Sequence, residues 1–134
     1  MKYIISLLIT ILVLTGCVNR ISTPLQDDNK LQGKWVVTYN ELKKQTTPKM
    51  YGSIFLFQNQ LFSVNGGGEE KYIVDNSTLP KQINFINGDS IIKGIYKING
   101  NTLIICTAPP REERPKEFRT SKISGIILTK LKRN

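Results

Sequence analysis

Four reversal signals at short intervals constrain this chain more than any other feature. Asn59-Gln60, Asn65-Gly66-Gly67-Gly68, Asn87-Gly88-Asp89 and Asn99-Gly100 each separate two short runs rich in Ile, Val, Phe and Tyr. Asn and Gly tolerate the positive φ that a tight hairpin demands, so each signal is a place where a strand turns back. No segment after Leu31 sustains helical periodicity for a dozen residues. The expected class is all-β, with eight strands over 33–40, 53–58, 61–64, 70–75, 81–86, 91–98, 102–106 and 125–131. Antiparallel strands with short turns favour an up-and-down barrel, because closure removes both exposed edges. An open sandwich is the alternative.

Asn99-Gly100 also predicts register. As a two-residue type I′ loop it pairs Ile98 with Asn101, Lys97 with Thr102 and Tyr96 with Leu103. Tyr96, Leu103, Gly94 and Ile105 then share the inner face, while Lys97, Ile95 and Ile104 point outward. Trp35, Val37 and Tyr39 are further inward candidates. Most of these side chains are bulky, which argues for a filled or nearly filled interior with a shallow apolar mouth, Gly94 being the position that leaves space. The longest connection, 107–124, carries Pro109, Pro110 and Pro115, which exclude a regular strand or helix through its middle. It is expected to fold back on the barrel with Phe118 buried and Arg111 or Arg114 at the rim, against either the outer wall or the open end.

The first 16 residues have the parts of a secretory signal: Lys2, an apolar core from about Ile4 to Leu14, and the small pair Thr15-Gly16. A spanning helix needs roughly 20 apolar residues, and this run stops well short before Asn19-Arg20. Leu14-Thr15-Gly16-Cys17 resembles the lipobox of bacterial lipoproteins. That resemblance implies cleavage before Cys17, a diacylglyceryl thioether and an acyl chain such as palmitate on the new N-terminus, and a mature protein held on a membrane by its lipid. The expected organisation is a signal peptide over 1–16, a polar tether over 17–30 and a barrel domain over 31–134. The expected location is the cell envelope. Val18, rather than aspartate, after the cysteine fits the outer membrane if the host has two.

Composition excludes much chemistry. The chain of 134 residues has no histidine, which removes histidine-based nucleophilic triads, the usual zinc sites and imidazole acid–base catalysis. With Cys17 committed to lipid, Cys106 has no intrachain partner and reads as a small apolar strand residue. Glu69-Glu70 and Glu112-Glu113 are adjacent pairs, and neighbours in an extended chain point apart, so neither pair can flank one bond. The Gly66–Gly68 run lacks the following helix that a phosphate cradle requires. An enzyme is not expected, nor is any cofactor or metal. Removal of the signal leaves 18 basic against 10 acidic residues, a net charge of +8. Outside the cytoplasm, anionic lipids and envelope polymers are the relevant polyanions rather than nucleic acid, although lysines scattered along the sequence also fit a merely solvated surface.

Leu31-Gln32-Gly33-Lys34-Trp35 resembles the Gly-x-Trp opening of lipocalins, where the Trp plugs one barrel end beneath a basic side chain from a late strand; Lys130, Lys132 or Arg133 are the candidates here. Together with Gly94-Ile95-Tyr96, Asn99-Gly100-Asn101-Thr102-Leu103, Ala108-Pro109-Pro110, Arg114-Pro115, Phe118 and Leu128-Thr129-Lys130-Leu131-Lys132-Arg133, this opening is similar to the lipocalin-like domain family first described as an uncharacterised planctomycete domain. The resemblance spans about 31–133 and implies a lipocalin-like barrel without an established activity. The expected function is binding of a small apolar ligand in or at the mouth of the barrel, with Trp35, Tyr39, Gly94 and Tyr96 as candidate contacts. The alternative is an interaction module that holds an envelope protein or anionic polymer through the 107–120 loop, using Arg111, Arg114 and Phe118.

Overall fold

The computed structural model describes residues 28–134; the expected signal peptide, Cys17 and most of the expected tether lie outside the described residues. Nine strands form one antiparallel sheet: β1 Gly33–Leu42, β2 Gln45–Thr46, β3 Ile54–Gln58, β4 Leu61–Val64, β5 Glu70–Asp75, β6 Lys81–Asn87, β7 Ser90–Asn99, β8 Thr102–Thr107 and β9 Ile127–Arg133. β2 pairs with the end of β1; from β1 through β3 to β9 the order follows the sequence, and β9 pairs back onto β1. Apart from the two-residue β2, this is a closed eight-stranded up-and-down barrel, as the turn spacing predicts. The one helical element among the described residues is a 3-10 turn, Pro48–Met50. Residues 28–134 contain the entire closed sheet and its apolar core, so they constitute a complete folding unit.

The turns show how the strands find their partners. Asn59-Gln60 has positive φ at both residues, 51° and 65°, and joins Gln58 to Leu61 as a type I′ turn. Lys43-Lys44 does the same between Leu42 and Gln45, at φ 52° and 62°. No Gly or Asn advertises that reversal, which is why the sequence does not reveal β2. The loop between β7 and β8 is centred on Gly100-Asn101 rather than Asn99-Gly100. Asn99 pairs with Thr102, Ile98 with Leu103 and Tyr96 with Ile105, and Gly100 takes φ 59° at the first central position, as in a type II′ turn. The expected pairing is therefore displaced by two residues. Because side chains alternate with period two, the faces survive: Gly94, Tyr96, Leu103 and Ile105 are all buried on the inner side.

A bulge in β1 has the opposite effect. Pairing with β9 runs Val37 to Leu131 and then Tyr39 to Lys130, leaving Thr38 as an extra residue. One inserted residue inverts the alternation, so Asn40 and Leu42 turn inward and Tyr39 turns out. Tyr39 is thus on the outer wall, its ring 5.1 Å from Lys130 Nζ, and is not the inward residue that strict alternation predicts.

The core follows from these faces. Leu31, Trp35, Val37, Phe57, Tyr72, Ile83, Tyr96, Leu103 and Leu131 are each buried to 1% exposure or less and fill the half of the barrel where the chain enters. At this closed end Arg133 lies 4.1 Å from the Trp35 ring centroid, so of the three candidate cations it is Arg133 that covers the plug. Its guanidinium also donates to the backbone oxygens of Gln32 and Lys30, and Trp35 Nε1 donates to Leu31 O at 2.9 Å.

A second apolar cluster lies outside the barrel. Ile95, Cys106 and Leu128 point outward and are covered by Tyr39, Ile104, Phe118 and Ile126. Phe118 and Ile126 belong to the 108–126 connection, which docks on the outer wall, and Phe118 is half-buried there with Lys97 Nζ 4.6 Å from its ring.

Candidate functional site

The open end of the barrel is bounded by the 43–53 connection, the Gly-rich turn, the β6–β7 turn and the docked connection. Here the interior is not filled. A cavity of about 380 Å³ opens between Phe55, Phe62, Phe85, Ile92 and Ile105, with Met50 and Leu42 at its mouth. The strands deliver these residues by alternation: Phe55 on β3, Phe62 on β4, Phe85 on β6, Ile92 on β7 and Ile105 on β8 all stand on the inner face, one or two steps above the closed-half core. The aromatic rings form one wall. Phe62 lies 5.2 Å from Phe55, 5.0 Å from Phe57 and 4.7 Å from Phe85, between centroids.

Two polar features interrupt this apolar lining. Asn40, turned inward by the bulge, donates from Nδ2 to Thr129 Oγ1 at 2.9 Å, and both residues are buried. Their remaining acceptor and donor capacity faces the cavity side of the sheet. At the rim, Glu70 accepts from Asn87 Nδ2 at 3.0 Å, and Lys49 stands on the 3-10 turn across the opening. The arrangement can hold an apolar body of moderate size and offer one hydrogen-bonding position within and charged groups of both signs at the entrance.

The residues singled out from the sequence are distributed differently. Trp35 is fully buried at the closed end, away from the cavity. Tyr96 is also fully buried; its hydroxyl donates to Asp28 Oδ2 at 2.9 Å and packs the closed half. Gly94 does face inward, but its neighbours have taken the space. A Cβ there would lie 2.9 Å from Cys106 O, 3.0 Å from Thr107 Cγ2 and 3.2 Å from Ile83 Cγ2, so this glycine permits close strand packing rather than a ligand. Tyr39 is on the outer wall, where its hydroxyl donates to Glu41. None of these four lines the cavity. The lining residues that sequence reading missed, Phe55, Phe62, Phe85 and Ile92, lie in runs recognised as strands. Their periodic spacing carried the signal, and what was lacking was their height within the barrel.

The long connection behaves as a clamp. Arg114 is turned inward rather than presented at the rim: Nη1 donates to Ile83 O at 3.0 Å and Gly94 O at 2.7 Å, and Nη2 to Asn84 Oδ1 at 2.7 Å. Burial lowers its pKa from the ordinary guanidinium value, an effect that the Asp75 charge opposes. Arg111 stays exposed, at φ 67°, near Asp89 and Ile91 at the open end. Thr120, almost fully buried, donates to Glu41 and accepts from the Lys44 amide at 3.2 Å, tying the far side of the connection to the β1–β2 hairpin. Hydrogen bonds from Thr120 and Tyr39 hold the Glu41 carboxyl below its ordinary pKa. Beneath the connection, burial pushes the Cys106 thiol up to about 11, so it is not a nucleophile at neutral pH.

Fold and geometry together define a closed antiparallel barrel plugged at one end and hollow at the other. No protein-family model, curated protein or solved structure matches the chain. No helix among the described residues is long and apolar enough to cross a membrane.

Proposed function

We propose that this protein is a lipid-anchored, lipocalin-like barrel that binds a small apolar ligand in the open half of its interior. The observation that carries the reading is the cavity of about 380 Å³ walled by Phe55, Phe62, Phe85, Ile92 and Ile105. Its volume falls within the range of roughly 300 to 1,000 Å³ typical of small-molecule sites. A barrel of eight strands is just wide enough either to be filled by its own side chains or to hold one small ligand. Here one half is filled by side chains and the other is left open, at different heights of one barrel. Anchoring rests on the lipobox-like Leu14-Thr15-Gly16-Cys17 and is tested by Cys17→Ser, which should release the protein from the membrane fraction.

Binding is tested by titrating 1-decanol into residues 28–134 by calorimetry. Saturable one-to-one binding is expected, abolished by Ile92→Trp, which fills the cavity from its wall while preserving the fold. Wild-type protein that takes up no apolar probe, or an Ile92→Trp variant that binds equally well, would reject the proposal. The interaction-module reading retains the exposed Arg111 but not Arg114, whose donors are used within the molecule.

A further inference from the structure

The closed end has surface features that a solvated barrel bottom does not require. Leu79, at the tip of the β5–β6 connection, is 97% exposed. That connection is braced: Thr78 Oγ1 donates to Pro80 O at 2.8 Å, and the amide and hydroxyl of Ser77 both donate to Asp75 Oδ1, at 3.0 and 2.6 Å. A large apolar side chain is thus held out in water by a loop with its own hydrogen bonds. Around it the charge is one-sided. Lys30, Lys34, Lys132 and Arg133 are all exposed at this end, and β7, β8 and β9 contain five basic residues and no acid. Lysines that look scattered in the sequence are collected by register: Lys132 lies opposite Val36 and Thr102, and Ile104 lies opposite both Lys97 and Lys130. Among the described residues, the acids at this end are already engaged, Asp75 with Ser77, and Asp28 with Lys81 at 3.0 Å and with Tyr96.

A third observation concerns where the chain comes in. Asp28 is buried at the closed end, so everything N-terminal to it, including Cys17 eleven residues earlier, reaches the barrel there. Eleven residues of any conformation span at most about 40 Å. A lipid on Cys17 would therefore hold the barrel, by its closed end, within about 40 Å of the bilayer.

We infer that the closed end is a docking surface for anionic phospholipid headgroups, with Leu79 inserted among the acyl boundary atoms and Lys30, Lys34 and Lys132 over the lipid phosphates. The cavity mouth then opens away from the membrane, toward solvent-borne ligand. The standing proximity of the domain to a bilayer rests on the anchored reading; the docking surface does not. Basic side chains near an anionic surface and a single apolar insertion are complementary forces, since the first draws the domain in and the second fixes its orientation.

The test uses residues 28–134, which carry no lipid, with vesicles of phosphatidylcholine alone or mixed with phosphatidylglycerol. Leu79→Trp should show a blue shift in emission on mixed vesicles and none on neutral ones. Ile123→Trp, at an open-end position that is 94% exposed, should show no shift on either. Lys34→Gln combined with Lys132→Gln should lower the partition coefficient about 25-fold, at about fivefold per charge, and added salt should weaken wild-type binding. Melting curves and 1-decanol binding should be unchanged in all these variants, so failure of docking is distinguishable from failure of the cavity reading. Absence of binding to mixed vesicles, a shift at Ile123→Trp in place of Leu79→Trp, or full partitioning of the double glutamine variant would overturn the inference. So would capture by a soluble polyanion such as heparin with no affinity for vesicles.

Discussion

The two halves of this barrel are built from the same strands by the same alternation, yet one is solid and the other hollow. In the closed half, the inward positions other than Gly94 carry packed apolar side chains, and the polar groups named there are hydrogen-bonded: Trp35 to Leu31 O, Tyr96 to Asp28, and Asp28 to Lys81 and the Lys30 amide. In the open half, the bulge after Val37 exchanges Tyr39 for Asn40 on the inner face, and the mouth is left to side chains that line the space without meeting across it. A single inserted residue thus changes which β1 side chains face the interior above Val37. The closed half is packed solid, and the open half is left hollow.

The largest expected effect is at the plug. Trp35→Ala should cost about 3 to 5 kcal/mol, a large fraction of the stability of a domain this size, measured by urea denaturation. The comparable truncation at the mouth, Phe55→Ala, should cost less than about 2 kcal/mol, because Phe55 is only partly buried and loses few packing partners. Equal losses at the two sites would contradict the division between solid and hollow halves. Arg133→Ala comes next. It removes a guanidinium stacked on Trp35 and should cost about 0.5 to 2 kcal/mol with little effect on ligand binding.

Acid should weaken the closed end first. Burial raises the Asp28 carboxyl pKa, but hydrogen bonds from Lys81, Tyr96 and the Lys30 amide outweigh it, so the net pKa lies below the ordinary 3.8. A carboxyl depressed in the fold stabilises fully above its unfolded pKa and loses that contribution as pH falls through the folded value. The melting temperature should therefore drop as pH is lowered below about 4, and Asp28→Asn should flatten that part of the profile. A variant with the wild-type slope would remove Asp28 from the account. The smallest effect belongs to Cys106, whose buried thiol should react with a disulfide reagent only as fast as the docked connection opens.

Much of the fold was legible because hairpin turns and alternation are local. The eight barrel strands agree with expectation to within two residues at either end, with each miss confined to a terminus, and Asn59-Gln60 reverses where its residue types demand. The register of β7 and β8 was displaced by two residues because two overlapping Gly/Asn dipeptides compete for the loop centre, and only the even size of the slip preserved the faces. The Lys43-Lys44 turn and the Thr38 bulge carry no such residue signature; the bulge shows only in the pairing of β1 with β9. The site was correspondingly hard to find. Its lining depends on how high each inward residue stands and on which side of the bulge it falls, and neither is written in the periodicity of one strand. The role of Arg114 was hidden for a similar reason, because two of its three acceptors on β6 and β7, Ile83 O and Gly94 O, are backbone oxygens that any sequence would supply.

The division between the halves can be tested in one experiment, a titration of methyl-labelled residues 28–134 with 1-decanol followed by carbon–proton correlation spectra. Saturable shifts should appear at Ile92, Ile105 and Ile127 around the cavity, while Ile83, Leu103 and Leu131 in the closed half, and Ile95 beneath the docked connection, should stay in place. Shifts centred on Ile95 and Leu128, or no shift at any methyl up to the solubility of the probe, would contradict the account.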